Sequence, residues 1–146
     1  MPVATFTAAL VAGDAIAARD IATAFAEVTG SRLAVVSDLF HPAQYQVGEL
    51  WYQGQLGVAE EHRATAIVSK VAMALQPTPV DRPVRAGARC LLSAFAGERH
   101  VVGLQFLALV LEDEGWVVDQ LPPPTSRLEL LRAISMWRPD VVGLSA

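Results

Sequence analysis

The sequence predicts an α-helical bundle followed by an α/β unit with a Rossmann-like (flavodoxin-like) parallel sheet. Three observations carry the prediction. Apolar residues recur at helical spacing as far as residue 76. A proline-rich stretch over 77–87 then interrupts the pattern. From residue 88 onward, short apolar runs alternate with helix-length segments in the order β-α-β-α-β. That order implies parallel strands joined by right-handed crossovers.

Taken in order, the first helical segment ends at Gly13, and Asp14 is placed to cap the second. Ile16, Ile21, Phe25 and Val28 then recur at helical spacing until Thr29-Gly30, a C-terminal stop. Ser31 can cap a third segment carrying Leu33, Val36, Leu39 and Phe40. It meets Pro42 and resumes with Tyr45, Val47, Leu50 and Trp51. Pro42 means either a first-turn proline or a kink. A turn containing Gly54 and Gly57 leads to a last helix from about Val58 to Leu75. Four helical segments with short loops predict an antiparallel four-helix bundle over 1–76.

Residues 77–87 hold three prolines and no apolar period, and read as a linker. Residues 88–146 form the α/β part. Strands are expected over Ala88–Phe95, Gly115–Leu121 and Asp140–Ser145. Helices are expected over Glu98–Glu114 and from the Ser126 cap to Trp137. Three strands and two helices make half of a doubly wound domain. The edge of the third strand is long, flat and apolar, a liability in a finished protein. The expectation is therefore a C-terminally truncated domain.

The chain is 53% hydrophobic and 18% charged, so it can bury a core and does not read as disordered. No apolar run reaches the length of a bilayer span, and no signal segment opens the chain, so a cytoplasmic protein with no membrane contact is expected. The net charge is -4. Up to residue 80 there are four basic and seven acidic residues, and beyond it seven and eight. Neither part has the basic excess that phosphate binding needs, so direct nucleic-acid binding by this chain is not expected. The single Cys90, in a strand-like run, reads as a buried, inert thiol.

Two constellations stand out. Trp51 closes one amphipathic segment, and Glu61-His62 opens the next. The turn between them should bring the two helix ends to one lip. An indole, a carboxylate and an imidazole there suit a large, flat, partly polar ligand. The second is Glu98-Arg99-His100-Val101-Val102-Gly103, after the first strand. Ligands of open parallel sheets bind at the carboxyl ends of strands. A neutral imidazole suits a borderline transition metal, and a nearby carboxylate can hold its other ring N–H. Gly103 would let a bulky ligand, or the neighbouring strand, approach closely. No second Cys/His cluster completes a zinc or iron–sulfur site. A single histidine suffices only for a metal that brings its other ligands, as in a haem or a corrinoid.

Bland readings stand beside these. Trp51 alone fits a bundle core as well as a ligand contact. Glu61 near a helix start is favoured by the macrodipole without a ligand. His41 reads as a surface or loop residue, and the Ala66, Ser69 and Met73 stripe on the face of His62 as packing. Glu112-Asp113-Glu114 reads as a solvated helix end.

Together the two constellations resemble cobalamin-binding modules. These pair a four-helix cap with a Rossmann-like domain carrying Asp/Glu-x-His-x-x-Gly, then Ser-x-Leu after the third strand, then Gly-Gly. Glu98 to Gly103 fits the first motif, and Ser145-Ala146 starts the second. Ala9 to Asp14, Val47 to Trp51 and Ala59 to His62 resemble the cap. Trp51, nine residues, then Glu61-His62 is similar to the light-sensing branch, the CarH-like transcriptional photoreceptors. The resemblance implies that Trp51 packs over the upper corrin face of adenosylcobalamin, with Val58 and His62 closing the same pocket. Glu61 would hydrogen-bond the adenosyl ribose. His100 would be the lower cobalt ligand, supported by Glu98, while Gly103 and Ser145 accommodate the nucleotide tail.

The implied role is regulatory and not enzymatic. Light breaks the Co–C bond, and the oligomer or the regulatory protein partner changes. The alternative is the corrinoid protein of a methyltransferase system, carrying methylcobalamin. A third reading is a helical interaction domain that binds no cofactor. Two departures matter. Tyr52 stands where some photoreceptors have a second histidine, and no helix-turn-helix region precedes the cap.

Overall fold

The computed structural model describes residues 2–76, 87–95, 98 and 101–145. The expected linker lies outside them except for Gly87. The chain divides into two units, Met1–Leu75 and Gln76–Ala146.

The first unit begins with α1 (Pro2–Ala12) and α2 (Ala15–Thr29). They are joined by Gly13, whose φ of +77° glycine adopts without steric cost. Asp14 caps α2, its carboxylate accepting from the Ala17 N–H at 2.9 Å. Gly30, left-handed, ends it. The buried face of α2 is Ala18, Ala22 and Ala26, whereas Ile16 and Val28 face outward, Val28 being 87% exposed. The expected stripe of large residues is thus corrected. Small residues at the contact let neighbouring helices approach closely, which larger side chains prevent.

Ser31 caps the third segment, accepting from the Ala34 N–H at 3.1 Å. That segment runs unbroken as α3 (Arg32–Ala34), a π turn (Val35–Phe40) and α4 (His41–Tyr52). Pro42 falls in the first turn of α4. The first-turn reading holds, with the difference that α4 continues from a π turn ending at Phe40 and not from a loop. There the His41 N–H already reaches back to the Val36 carbonyl. The widened turn accommodates a ring that lacks a donor and crowds the preceding α turn. His41 is exposed, as expected, but helical.

The segment buries Val35, Leu39, Phe40 and Val47, while Leu33 is exposed. Phe40 stacks on Phe6 of α1, with ring centroids 5.5 Å apart and planes 23° apart. Both rings are fully buried. Each such burial stabilises by about 1.5–3 kcal/mol, and the pairing adds about 0.5–1.5 kcal/mol. α5 (Val58–Ala74) buries Ala64, Ile67, Val68, Val71 and Ala72. Its Arg63 donates to the Val11 carbonyl at 2.9 Å and lies over Gly13, sealing the α1–α2 turn. The Ala66 and Met73 positions, expected as packing, are exposed, and Ser69 is half-buried. They lie on the side of α5 turned away from its buried residues.

The second unit is a parallel sheet in the order β2-β1-β3, from β1 (Arg89–Ala94), β2 (Val117–Gln120) and β3 (Val141–Ser145). The central strand β1 is buried from Cys90 onward, as a strand with neighbours on both sides should be. Cys90 pairs with Val118 on one side and Val141 on the other, and Ala94 pairs with Ser145. Two carboxylates hold the amino-terminal edge. Asp119 pairs with the Arg89 guanidinium at 3.1 Å, and Asp140 accepts from the Arg89 N–H at 2.7 Å.

α6 (Val102–Asp113) joins β1 to β2, and α7 (Arg127–Trp137) joins β2 to β3. Cys90, Leu92 and Ala108 form a core cluster with Leu104, Leu111, Trp116 and Val118 against it. Burial raises the Cys90 thiol above its usual range, opposed by a hydrogen bond with the Gly143 backbone. The thiol is buried and inert, as expected. α6 starts at Val102, not Glu98. Residues 98–101 supply no Ser, Thr, Asp or Asn cap, and the Glu98 N–H instead closes a turn onto the Phe95 carbonyl at 3.0 Å. Glu112 is buried, correcting the expectation of a solvated run, while Asp113 and Glu114 are exposed. It lies one turn beyond Ala108 and Leu109 on the packed side of α6.

α7 opens with a capping box. Ser126 accepts from the Glu129 N–H at 3.2 Å, and Glu129 accepts from the Ser126 N–H at 2.8 Å. No helix among the described residues is long and apolar enough to cross a membrane.

Candidate functional site

The α4–α5 turn follows from its glycines. The Gln53 N–H donates to the Glu49 carbonyl at 2.9 Å, and the Gly54 N–H to the Trp51 carbonyl at 2.9 Å. Gly54 takes a φ of +72°, which glycine tolerates without strain. The Gln55 N–H reaches back to the Leu50 carbonyl at 2.8 Å, closing the end of α4. Gly57 is extended and opens α5 without a side-chain cap.

The turn leaves large apolar groups unsealed. Trp51 is 48% exposed and Val58 56% exposed. Tyr52 is more exposed still. Trp51 is therefore no ordinary core residue.

One helical turn deeper, Glu61 enters a polar relay across the two helices. Its Oε1 accepts from the Thr65 hydroxyl at 2.9 Å, and that hydroxyl accepts from the Gln44 amide at 3.1 Å. Thr65 has a single proton, and the carboxylate takes it, so the amide must donate. The other Gln44 amide atom, Oε1, is buried with no hydrogen-bond partner among the described residues. Glu61 Oε2 lies 3.5 Å from His62 Nε2, and His62 is 75% exposed against 27% for Glu61. Adjacent helical residues do not share a face, so Glu61 is held at the α4 interface while His62 is open to solvent.

The lip can therefore do two things. It offers apolar surface to a flat ring system, and it offers a positioned acceptor to hydroxyl donors. Sequence reasoning singled out Trp51, Val58, Glu61 and His62 and took Gly48 only as part of the Val47–Trp51 segment; it did not single out Gln44 or Thr65. Thr65 was findable, since it stands four residues after Glu61 and so shares its face. A glycine inside a helix was also a signal, because it is destabilising there.

In the second unit, Glu98, Gly103 and Ser145 all lie at the carboxyl edge of the sheet. Ser145 is the last residue of β3, and its carbonyl accepts from the Phe95 N–H just beyond β1 at 3.0 Å. Glu98 is half-buried. Gly103 is exposed in the first turn of α6, and a Cβ built there meets nothing within 4 Å. Among the described residues no strand crowds it, which goes against one of the two reasons for expecting a glycine there. The strand glycine that is crowded is Gly143, where a Cβ would come within 2.6 Å of Leu92 Cδ2. His100, the expected metal ligand, lies outside the described residues. Among the described residues no group of three or more His, Cys, Asp or Glu could hold a metal ion.

The helical unit presents an unsealed aromatic–carboxylate lip, and the α/β unit a polar strand edge. Residues 3–76, just over half of the chain, match the family model described as the B12 binding domain, and the chain belongs to that family. It is similar to two curated proteins of Myxococcus xanthus. The HTH-type transcriptional repressor CarA is 39% identical over 95 residues, covering 62% of this chain and 31% of its own. The HTH-type transcriptional repressor CarH is 35% identical over 114 residues, covering 77% and 37%. The chain thus spans about a third of the length of these relatives. A cobalamin-binding protein of Desulfitobacterium hafniense of known structure aligns over 97% of this chain and 66% of its own, at 18% identity and a TM-score of 0.41.

Proposed function

We propose that this chain is a regulatory cobalamin module that takes adenosylcobalamin and senses light. The observation that carries the reading is the lip. Trp51 and Val58 are left open beside a carboxylate that Thr65 holds in place. The residues present fit the group: apolar surface for a corrin, an acceptor for ribose hydroxyls, and open space at Gly103. Similarity to two transcriptional repressors supports the regulatory role.

In this reading Trp51, Val58 and His62 cover the upper face of the corrin and keep water from it. Glu61 accepts from a ribose hydroxyl, which distinguishes an adenosyl from a methyl substituent. His100 would supply a ligand to the cobalt, with Glu98 supporting it. Gly103 and Ser145 leave room for the nucleotide tail. The cofactor, when bound, supplies a light-labile cobalt–carbon bond. The chain's own contribution is to couple the contents of the lip to its oligomeric or partner state.

The test uses the complete open reading frame, loaded with adenosylcobalamin in the dark. Its visible spectrum and elution volume are recorded before and after green light. A changed spectrum with a changed elution volume is expected. Preferential retention of methylcobalamin, with methyl transfer to a partner protein, would support a methyltransferase corrinoid protein instead. Retention of neither corrinoid sinks both readings. A His100→Ala chain that binds with an unaltered spectrum removes His100 as the cobalt ligand.

A further inference from the structure

The hydroxyl of Thr65 has a choice of acceptors. A threonine inside a helix commonly bonds the carbonyl three or four residues back, here that of His62 or Glu61. In this structure it bonds the Glu61 side chain instead, at 2.9 Å. A second contact accompanies that choice. The Gln44 amide donates to the Thr65 oxygen at 3.1 Å, and this donor comes from α4, outside the helix that holds Thr65 and Glu61.

Keeping Gln44 carries a penalty. Its Oε1 is buried with no hydrogen-bond partner among the described residues. A buried acceptor without a partner destabilises, whereas an apolar side chain of like shape avoids the loss. Packing alone therefore favours a residue such as methionine at this position. Glutamine supplies what methionine lacks, an N–H directed at Thr65.

We propose that Gln44 is a positioning residue for the Glu61 carboxylate. Its N–H occupies one lone pair of the Thr65 oxygen and turns the single Thr65 proton onto Glu61 Oε1. Glu61 Oε2, 3.5 Å from His62 Nε2, is thereby left to accept from a ligand hydroxyl. The direction of the relay matters as much as its shape. Gln44→Glu keeps the shape and reverses the polarity, because an ionised carboxylate there has no proton to give and competes with Glu61 for that of Thr65. This inference rests on the reading of the lip as the upper side of a cobalamin site.

Gln44→Met, Gln44→Glu, Thr65→Ser and Thr65→Val are made in the complete open reading frame and compared with the unaltered protein in the dark. The melting temperature of the cofactor-free Gln44→Met chain should not fall. Its affinity for adenosylcobalamin should nevertheless drop by about fivefold to tenfold, the effect of one net hydrogen bond, and that of Gln44→Glu by at least as much. Thr65→Val should share the loss, and Thr65→Ser, which keeps the hydroxyl, should not. Affinity for methylcobalamin, whose upper substituent has no hydroxyl, should stay within about twofold in Gln44→Met. Equal losses for both corrinoids, no loss in Gln44→Met, a lowered melting temperature in Gln44→Met, or a Thr65→Ser chain as weak as Thr65→Val would each overturn the proposal. An unaltered chain that retains no corrinoid is a different failure, since it removes the cobalamin reading itself. Crystal structures of the cofactor-free chains then decide the positioning alone. A Thr65 hydroxyl turned onto a backbone carbonyl in Gln44→Met supports it, and one still on the Glu61 carboxylate overturns it.

Discussion

Two groups of aromatic side chains in the helical unit are treated in opposite ways. Phe6 and Phe40 stack on each other with no solvent exposure. Trp51 and Tyr52, at the far end of the same composite helix, are 48% and 83% exposed. The two turns of the unit differ in the same sense. The α1–α2 turn is sealed by Arg63, whose guanidinium lies over Gly13. At the α4–α5 turn no described residue comes within 4 Å of a Cβ built on Gly54, nor of one built on Gly48 inside α4. The buried pair belongs to the core of the unit, whereas Trp51 and Tyr52 stand exposed at a turn, as Ile16 and Val28 do on α2.

Four substitutions test that division, in falling order of their effect on stability. Phe40→Ala empties the core and should cost about 3–5 kcal/mol, read as a large drop in melting temperature. A loss below about 1 kcal/mol would mean that the stack is not the core of the unit. Gly13→Ala comes next, at about 1–3 kcal/mol, because it forces a positive φ on a residue with a Cβ. The new Cβ would also approach Arg63 Cζ to 2.8 Å. It should be the opposite of Gly48→Ala, which in a helix interior should stabilise, and two glycines of like sign would erase the distinction between the turns.

Trp51→Ala should cost only about 1 kcal/mol, an average point substitution, yet abolish the retention of corrinoid on a desalting column. If it unfolds the bundle as Phe40→Ala does, the lip is core after all. The smallest effect lies in the α/β unit. Ser126→Ala removes an exposed cap worth about 0.5–1 kcal/mol.

The same cap carries a pH signature. The Ser126 hydroxyl, then its backbone N–H, hold the Glu129 carboxyl below the usual glutamate range, with a smaller pull from Arg132. A carboxyl lowered in the folded state stabilises above its unfolded value and loses that contribution as pH falls through the folded one. Acid titration should therefore separate wild type from Ser126→Ala near neutrality and bring them together at low pH.

Much of this was legible in the sequence because it is local. Asp14, Ser31 and Ser126 cap where their short polar side chains predict, and Gly30 stops α2. The parallel sheet followed from alternation alone. What escaped notice depends on tertiary contact. Ile16 and Val28 looked like a core stripe because periodicity marks apolar residues, and it cannot see that alanines fit a close contact better. Glu112 looked solvated within an acidic run, but the helix phase turns it inward. Trp51, Glu61 and His62 were singled out by their spacing, and Val58 by the resemblance. The Gln44–Thr65 link that supports them joins positions 21 residues apart on two helices, and only the fold brings them together.

The π turn ahead of Pro42 also acts as a phase adjuster. Each α-helical residue advances the helix face by about 100°, and residues in a π turn advance it less. Val35, Leu39 and Phe40 are buried within this step, and beyond it Gln44 bonds Thr65 of α5. A regular helix through 32–52 would have to sacrifice one of these placements to the other. Deleting a single residue between 35 and 40 would keep every side chain of the lip in the sequence and still rotate the whole set out of alignment, like a key cut correctly on a blank turned in the lock.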